Sequence, residues 1–308
     1  MNLENKKVLI TGGAGFIGSN LADFLIEKNN EVIVIDNFYS GKKENLNPKA
    51  KFFEIDICDF DKIKPLFEGV DYVFHLAAMP RVPISVDDPV GTTNVNITGT
   101  VSVFKASLEN KVKRVVFASS SSVYGNQEKL PLYESMTPMP ISPYALQKLA
   151  GEYFAKIFTD LYGQKVVSLR FFNIYGPRLD PNSEYSLVIG KFLNQLNSNK
   201  PITIFGDGNQ TRGFCYIDDL VDALIKAATS GKIKGGEIIN IGSEKSHSVN
   251  YLADLLGGQK VYLPPRAGDV LHTMADISLA KELIDWQPKV PFEEGVKKTQ
   301  EWFNKYKV

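Results

Sequence analysis

The chain has 308 residues, 44% of them hydrophobic, and its 35 basic side chains balance 35 acidic ones. That length and apolar share can bury a large core, one main domain with a smaller partner, while a formal net charge of zero gives no overall pull toward nucleic acid or an anionic membrane. No apolar run approaches the ~20 residues of a membrane span, and the first strand begins so close to Met1 that a signal peptide has no room, so a cytoplasmic protein is expected.

Val8-Leu9-Ile10 read as a buried strand, and residues 16–26 repeat their apolar side chains at helical spacing. Between them lies Thr11-Gly12-Gly13-Ala14-Gly15-Phe16-Ile17-Gly18. This is the composition of a dinucleotide cradle. Gly12 can take backbone angles barred to other residues, Gly15 lets the main chain approach a pyrophosphate, and Gly18 lets the helix pack closely on the strand. Amides at the helix start, Phe16 and Ile17 among them, would face the phosphates. A second strand, 32–35, leads into Asp36-Asn37. The Asp36 carboxylate can accept both ribose hydroxyls and would repel a 2′-phosphate, which favours NAD over NADP. Taken alone, Asp36 would also read as a solvated strand-end acid, and glycines as turn chemistry; strand, turn, helix, strand and acid in order carry the assignment.

Strand-like runs follow at 51–54, 72–76, 114–118 and 166–171, and helical periodicity at 21–28, 95–110 and 144–162. Alternation of this kind predicts an α/β fold, a Rossmann-type doubly wound parallel sheet with helices on both faces, binding ligands at the carboxyl ends of its strands. Asp36, Asp56, Ala77-Ala78 and Ser119 to Ser122 all fall at such ends. Beyond Asn173 the pattern loosens, with Gly176-Pro177, Asp180-Pro181-Asn182, Gly206-Asp207-Gly208 and Pro264-Pro265 punctuating short elements. A smaller mixed α/β cap is expected there, from 174–213 and 243–308, while a helix at 214–228 and a strand at 237–241 return to the domain formed by 1–173. Cys58 and Cys215 lie far apart without metal-ligand or redox spacing and are expected to be buried apolar residues in a reducing compartment. His75, His247 and His272 are scattered, so no metal site is expected.

Tyr144 and Lys148 are four apart at the start of a predicted helix, on one face. A free phenol titrates near about 10, so it needs nearby positive charge to act as a base; a lowering of about three units takes roughly 4 kcal/mol. Lys148 and an oxidised nicotinamide would both supply that charge. Ser119-Ser120-Ser121-Ser122-Val123-Tyr124 follows the fifth strand, where a hydroxyl can bridge a substrate oxygen and the phenol. A lone Tyr-x-x-x-Lys or a serine run would by itself read as packing or as a polar loop.

With the glycine turn, Asp36, Ser120-x-x-x-Tyr124, Tyr144-x-x-x-Lys148 and Arg170-Phe171-Phe172-Asn173 in order, the chain resembles an extended short-chain dehydrogenase/reductase, and within that family the NAD-dependent nucleotide-sugar epimerases. The resemblance runs from about Lys6 to the final helix. It implies an NAD domain, a carboxyl-terminal cap for a UDP-sugar, and a homodimer built on helices 95–110 and 144–162. Residue by residue, it implies cofactor contacts at Asn37, Asp56, Ile57, Leu76, Ala77, Ala78, Asn96, Ser119 and Phe171, besides the turn and the Tyr144–Lys148 pair. Catalysis falls to Tyr144 and Lys148 with Ser120, Ser121 and Ser122. Substrate contacts are implied at Arg81, Ser120, Ser122, Tyr144, Asn173, Val188, Phe205, Arg212, Arg266, Asp269 and Thr273.

Two departures from the family's pattern matter. Arg212-Gly213 stands where the family reads Arg-Asp, which predicts a more mobile loop or a lost contact beside the diphosphate. Ser121 and Ser122 replace the Asp-Glu pair of the related 4,6-dehydratases, which leaves dehydration without its acid and base. Thr273 occupies the place of a bulky tyrosine in enzymes restricted to unacetylated hexoses. The expected reaction is therefore inversion at C4 of UDP-N-acetylglucosamine/UDP-N-acetylgalactosamine, with UDP-glucose/UDP-galactose as a second activity. A UDP-glucuronate 4-epimerase and a non-catalytic NAD sensor on the same fold stay open as alternatives.

Overall fold

The computed structural model describes residues 3–180, 188–265 and 272–306. Six strands, β1 (Lys7–Thr11), β2 (Glu31–Asp36), β3 (Lys51–Glu54), β4 (Tyr72–His75), β5 (Arg114–Ser120) and β6 (Val166–Phe171), are joined by Ile238–Ile241. They form one seven-stranded parallel sheet in the order Ile238–Ile241, β6, β5, β4, β1, β2, β3. The direction of winding reverses between β1 and β4, and at such a switch point the connecting loops part and leave a crevice at the carboxyl ends.

Successive side chains of a strand point to opposite faces, and the apolar runs divide accordingly. Val8, Ile10, Val32, Val34, Val167 and Leu169 enter one core. Leu9, Ile33, Ile35, Val115 and Phe117 enter the other. The first of these cores does not stop at the sheet: Ile189, Phe192, Ile202 and Phe303, from elements beyond Asn173, belong to the same apolar cluster as Val8 and Leu169. Those elements are helices Val188–Asn197, Val249–Leu256 and Phe292–Tyr306, with the parallel pair Ile202–Phe205 and Lys260–Leu263.

The returning helix Ile217–Thr229 opens with Asp218 and Asp219, acids that suit a helix amino end. Its unpaired last carbonyls are met by Arg114 at the start of β5. The buried guanidinium donates to the carbonyls of Ala227, Ala228 and Ser230 at 2.9 Å each and to Ile233 at 2.8 Å.

The helix expected at 95–110 differs from the periodicity. It begins earlier, as Pro89–Thr93, passes through a π-helical turn, Asn94–Gly99, and finishes as Thr100–Glu109. Pro89 is the first helical residue and the Asp88 side chain accepts the Gly91 amide at 2.8 Å, a start signal that apolar spacing does not carry. Cys215 is buried as expected, whereas Cys58 is only half-buried, its sulfur 3.6 Å from the Asn94 carbonyl. Among the described residues no helix is long and apolar enough to cross a membrane, and no cluster of side chains is suited to a metal ion.

Candidate active site

At the carboxyl ends of the sheet lies a cleft of about 710 Å³. Its floor is the turn between β1 and helix Phe16–Glu27. Gly12 holds φ +73°, and a Cβ on it would stand 2.7 Å from the Ala77 backbone nitrogen. A Cβ on Gly18 would stand 2.2 Å from the Gly12 carbonyl oxygen, so only glycine allows the helix to start this close to the turn. At Gly15 the nearest atom would be 3.2 Å away. The main chain there is bare toward the cleft, where amides at the helix start can meet an anion. Asp36 closes the far side. Its Oδ2 accepts the Ala14 amide at 2.9 Å and its Oδ1 the Phe38 amide at 2.8 Å. Burial pushes its carboxyl pKa up while those two amides hold it down. Each oxygen keeps a lone pair for a ribose hydroxyl. Cradle and acid together fit an adenine dinucleotide.

The other expected cofactor residues that line this cleft are Phe16, Ile17, Asn37, Asp56, Ile57, Leu76, Ala77, Ala78, Ser119 and Phe171. Asn37 donates to Asp56 at 3.0 Å, so the two brace one another. Asn96 does not line it. That side chain is buried under the wall, accepting from the Met79 amide at 2.8 Å and donating to the Met79 carbonyl at 3.0 Å and to Gln147 at 2.8 Å. It shapes the loop after β4 instead of facing the ligand. Ser119 lines the cleft, but its hydroxyl turns inward and donates to Glu152 at 2.5 Å.

The catalytic candidates converge. Helix Pro143–Tyr162 starts at Ser142, whose hydroxyl accepts the Ala145 amide at 3.2 Å, and Pro143 occupies the first helical position. Ser85 accepts the Tyr144 amide at 3.0 Å and fixes this end of the helix against the segment after β4. Tyr144, Lys148, Ser120 and Ser122 all line the cleft, and Ser120 accepts from the Ser122 hydroxyl at 2.9 Å. Ser121 does not reach it, because the turn Ser121–Tyr124 carries that side chain away from the cleft.

Burial raises the Tyr144 pKa, and a hydrogen bond with Ser120 offsets this only in part. Lys148, buried among apolar groups, is pushed down to about 8. Its ammonium donates to the Ala118 carbonyl at 2.8 Å and stands 5.9 Å from the centre of the Tyr144 ring. The lysine is therefore anchored to β5 and does not by itself ionise the phenol. His75 is a packing residue: buried between the hydroxyls of Thr11 at 2.7 Å and Thr100 at 3.0 Å, it is held neutral by desolvation, its pKa near 3.

Of the expected substrate contacts, Arg81 and Asn173 line the cleft with Ser120, Ser122 and Tyr144. Arg81 holds φ +92°, a strained conformation for a side-chain-bearing residue. Burial pushes its guanidinium pKa down against the opposing field of Asp180. Asn173 donates to the Gly213 carbonyl at 3.0 Å and to the Thr273 hydroxyl at 3.2 Å. Val188, Phe205, Arg212 and Thr273 sit on elements beyond the cleft wall, which ends at Asn173 and residues 178–180. The Phe205 ring carries the Lys191 ammonium at 4.5 Å, and Arg212 donates to the Thr211 carbonyl at 2.9 Å. Arg266 and Asp269 lie outside the described residues.

Gly213 is not a loose point. Its amide donates to the Thr273 carbonyl at 2.7 Å, and a Cβ there would lie 3.0 Å from the Ser243 carbonyl oxygen. Gly213 is thus packed between the backbones of Ser243, Lys245 and Thr273. Sequence reasoning also missed Tyr39, Lys42, Asn45, Met79 and Arg178, which line the cleft. The signal for the first three was Gly41, whose Cβ would stand 2.8 Å from an Asp36 oxygen.

Comparison with known proteins places this geometry among sugar-nucleotide enzymes. A sequence model described as the NAD dependent epimerase/dehydratase family matches residues 8–242. A UDP-N-acetylglucosamine 4-epimerase from Methanobrevibacter ruminantium M1, solved in complex with UDP-N-acetylmuramic acid, superposes with a TM-score of 0.94 at 40% identity, covering 99% of this chain and 100% of that one. A UDP-glucose 4-epimerase from Thermotoga maritima, solved with UDP-glucose, gives 0.93 at 41% identity, over 98% and 100% of the two chains. A UDP-glucuronate 4-epimerase of Thermodesulfobacterium geofontis is 37% identical over 314 residues, 96% of this chain and 95% of its own.

Proposed function

This chain belongs to the NAD dependent epimerase/dehydratase family, and on that premise we propose that it inverts C4 of a UDP-sugar through a 4-keto intermediate. The observation that carries the reading is the seating of Tyr144, Ser120 and Lys148 together at the mouth of the glycine cradle. NAD, if bound in the cradle that Gly12, Gly15, Gly18 and Asp36 form, would supply the two-electron acceptor and donor that C4 needs. Tyr144 removes the proton of the 4-hydroxyl as base and returns it as acid after the keto-sugar has presented its other face. Ser120 holds the phenolic oxygen, and Lys148, fixed by the Ala118 carbonyl, adds positive potential to the water-poor pocket. Ser121 and Ser122 offer neither the acid nor the base that elimination of water would need.

Residues 174–213 and 243–308 are proposed to form the nucleotide-sugar cap, with Val188, Phe205, Arg212, Arg266 and Asp269 gripping uridine and diphosphate. The preferred sugars are UDP-N-acetylglucosamine and UDP-N-acetylgalactosamine, with UDP-glucose and UDP-galactose as a second pair. Thr273, hydrogen-bonded to the cleft-lining Asn173, is smaller than the tyrosine of enzymes restricted to unacetylated hexoses, which supports this reading. One observation favours UDP-glucuronate as a second reading. The Arg81 guanidinium faces the cleft and could take a C6 carboxylate in a bidentate pair. Assaying the three substrate pairs separates these readings. Turnover of UDP-glucose with none of the acetylated sugar would remove the Thr273 argument, and turnover of UDP-glucuronate alone would transfer the role to Arg81.

A homodimer is proposed through helix Pro143–Tyr162. Leu146, Tyr153, Ile157 and Leu161 are exposed at spacings that form one apolar stripe, and a second copy of the chain would cover it.

A further inference from the structure

Glu152 lies four residues beyond Lys148 and eight beyond Tyr144 on helix Pro143–Tyr162, so the three side chains step along one face. Its carboxylate is fully buried, yet it does not enter the cleft. It accepts three hydrogen bonds: from the Ser119 hydroxyl at 2.5 Å, from Arg170 Nε at 2.8 Å and from Arg170 Nη2 at 2.7 Å. Ser119 and Arg170 face each other across β5 and β6, and the next pair in register is Ser120 and Phe171. Because side chains alternate, the first pair points to the helix and the second to the cleft. One carboxylate thus pins the rung beneath the reacting groups to the helix that carries Tyr144 and Lys148.

Arg170 extends the same clamp. Its guanidinium carbon lies 4.5 Å from the centre of the Tyr124 ring, at the end of the turn that begins just after Ser120. Tyr124 in turn donates to Asn240 at 2.7 Å on the edge strand of the sheet. Both ends of the Ser120 segment are therefore held, one by Glu152 and one by Arg170. A buried ion pair is a weak source of net stability compared with apolar side chains of similar volume, so its presence here calls for another use.

We propose that Glu152 and Arg170 are positioning residues that set the reach between Ser120 and Tyr144, and through it the acidity of the phenol. This rests on the reading of Tyr144 as the proton-transferring group. The ion pair locates three elements at once: the end of β5, the start of the catalytic helix and the strand carrying Phe171.

The test uses the full-length, NAD-loaded protein. Replacing both partners by apolar residues, Glu152→Leu with Arg170→Leu, removes the clamp without leaving a lone buried charge. Ser119→Ala removes one hydrogen bond and leaves the pair. For both variants kcat per bound NAD is expected to fall about tenfold or more, as misplacement by a fraction of an ångström does. KM is expected to hold, and the phenol titration, read as the ultraviolet difference against Tyr144→Phe, should move to higher pH. A structural role alone would lower the melting temperature and leave these quantities per folded site unchanged. That result in Ser119→Ala, or in a folded double variant, overturns the proposal. The phenol titration needs no sugar, so a wild-type protein inactive on every UDP-sugar would strike the proposed function, while a titration left unmoved by the variants would strike the positioning role.

Discussion

Gly18→Ala offers a quantitative test of the cofactor cradle. The added methyl would sit 2.2 Å from the Gly12 carbonyl oxygen, 2.7 Å from the Gly13 Cα and 2.9 Å from the Gly12 carbonyl carbon, all backbone atoms with no rotamer to yield. Gly12 cannot retreat. Its amide donates to Ile35 at 2.8 Å, and its own approach to the Ala77 backbone is too close for a Cβ. The helix must therefore withdraw by about 1 Å to restore ordinary contact. That withdrawal lengthens hydrogen bonds from the helix-start amides to a pyrophosphate past the useful range. Two charge-assisted bonds weakened in this way cost about 3 to 5 kcal/mol, or roughly 10²- to 4 × 10³-fold in NAD affinity. Overpacking costs folding about 1 to 3 kcal/mol, partly offset by the higher helix propensity of alanine. The assay is NAD retained through gel filtration, a dissociation constant from titration of the stripped protein, and a melting curve. Gly18→Ala holding stoichiometric NAD with unchanged affinity would refute the cradle.

Tyr144→Phe is expected to lower kcat by about 10³-fold while NAD stays bound, measured by coupled epimerase assay beside cofactor content. The rate should fall as pH rises through about 8, where Lys148, whose pKa burial depresses, gives up its proton; Lys148→Met should remove that alkaline limb from the profile. Arg114→Ala strands four carbonyls that share one buried guanidinium, and a loss of about 3 to 5 kcal/mol should lower the melting temperature by roughly 10 °C; a shift of only a degree or two would show that the carbonyls find other donors. Tyr153→Glu with Leu161→Glu should convert a dimer to monomers in light scattering, and a wild-type monomer at micromolar concentration would dispose of the proposed interface.

Much of this architecture is legible in the sequence because strands and helices in a doubly wound sheet announce themselves locally. Residues 51–54 and 166–171 match β3 and β6 end for end. The glycine turn, Asp36 and the Tyr144–Lys148 pair are equally local, and each occupies the cleft. What the sequence concealed is contact between distant residues. Nothing near Asn96 announces that it would brace Met79 and Gln147, and nothing near Ser119 points to Glu152, 33 residues on. Alternation in β5 decides that Ser119 turns inward while Ser120 faces the ligand, and that depends on where the strand ends. The strand runs on to Ser120, two residues beyond the apolar run. The anchoring of Lys148 was hidden for a related reason. Spacing puts Lys148 on the same face, but the Ala118 carbonyl claims its ammonium.

The apolar cluster that joins Val8 and Leu169 to Ile202 and Phe303 has a mechanical consequence. Two bodies that share one interior cannot swing apart like jaws without exposing it to solvent. In the proposed reaction the chamber is therefore expected to keep its walls, and the half-turn that exchanges the faces of a keto-sugar to fall to the small molecule inside. A chemical step of this kind should be indifferent to added viscogen, in contrast to enzymes whose pace is set by the closing of a hinge.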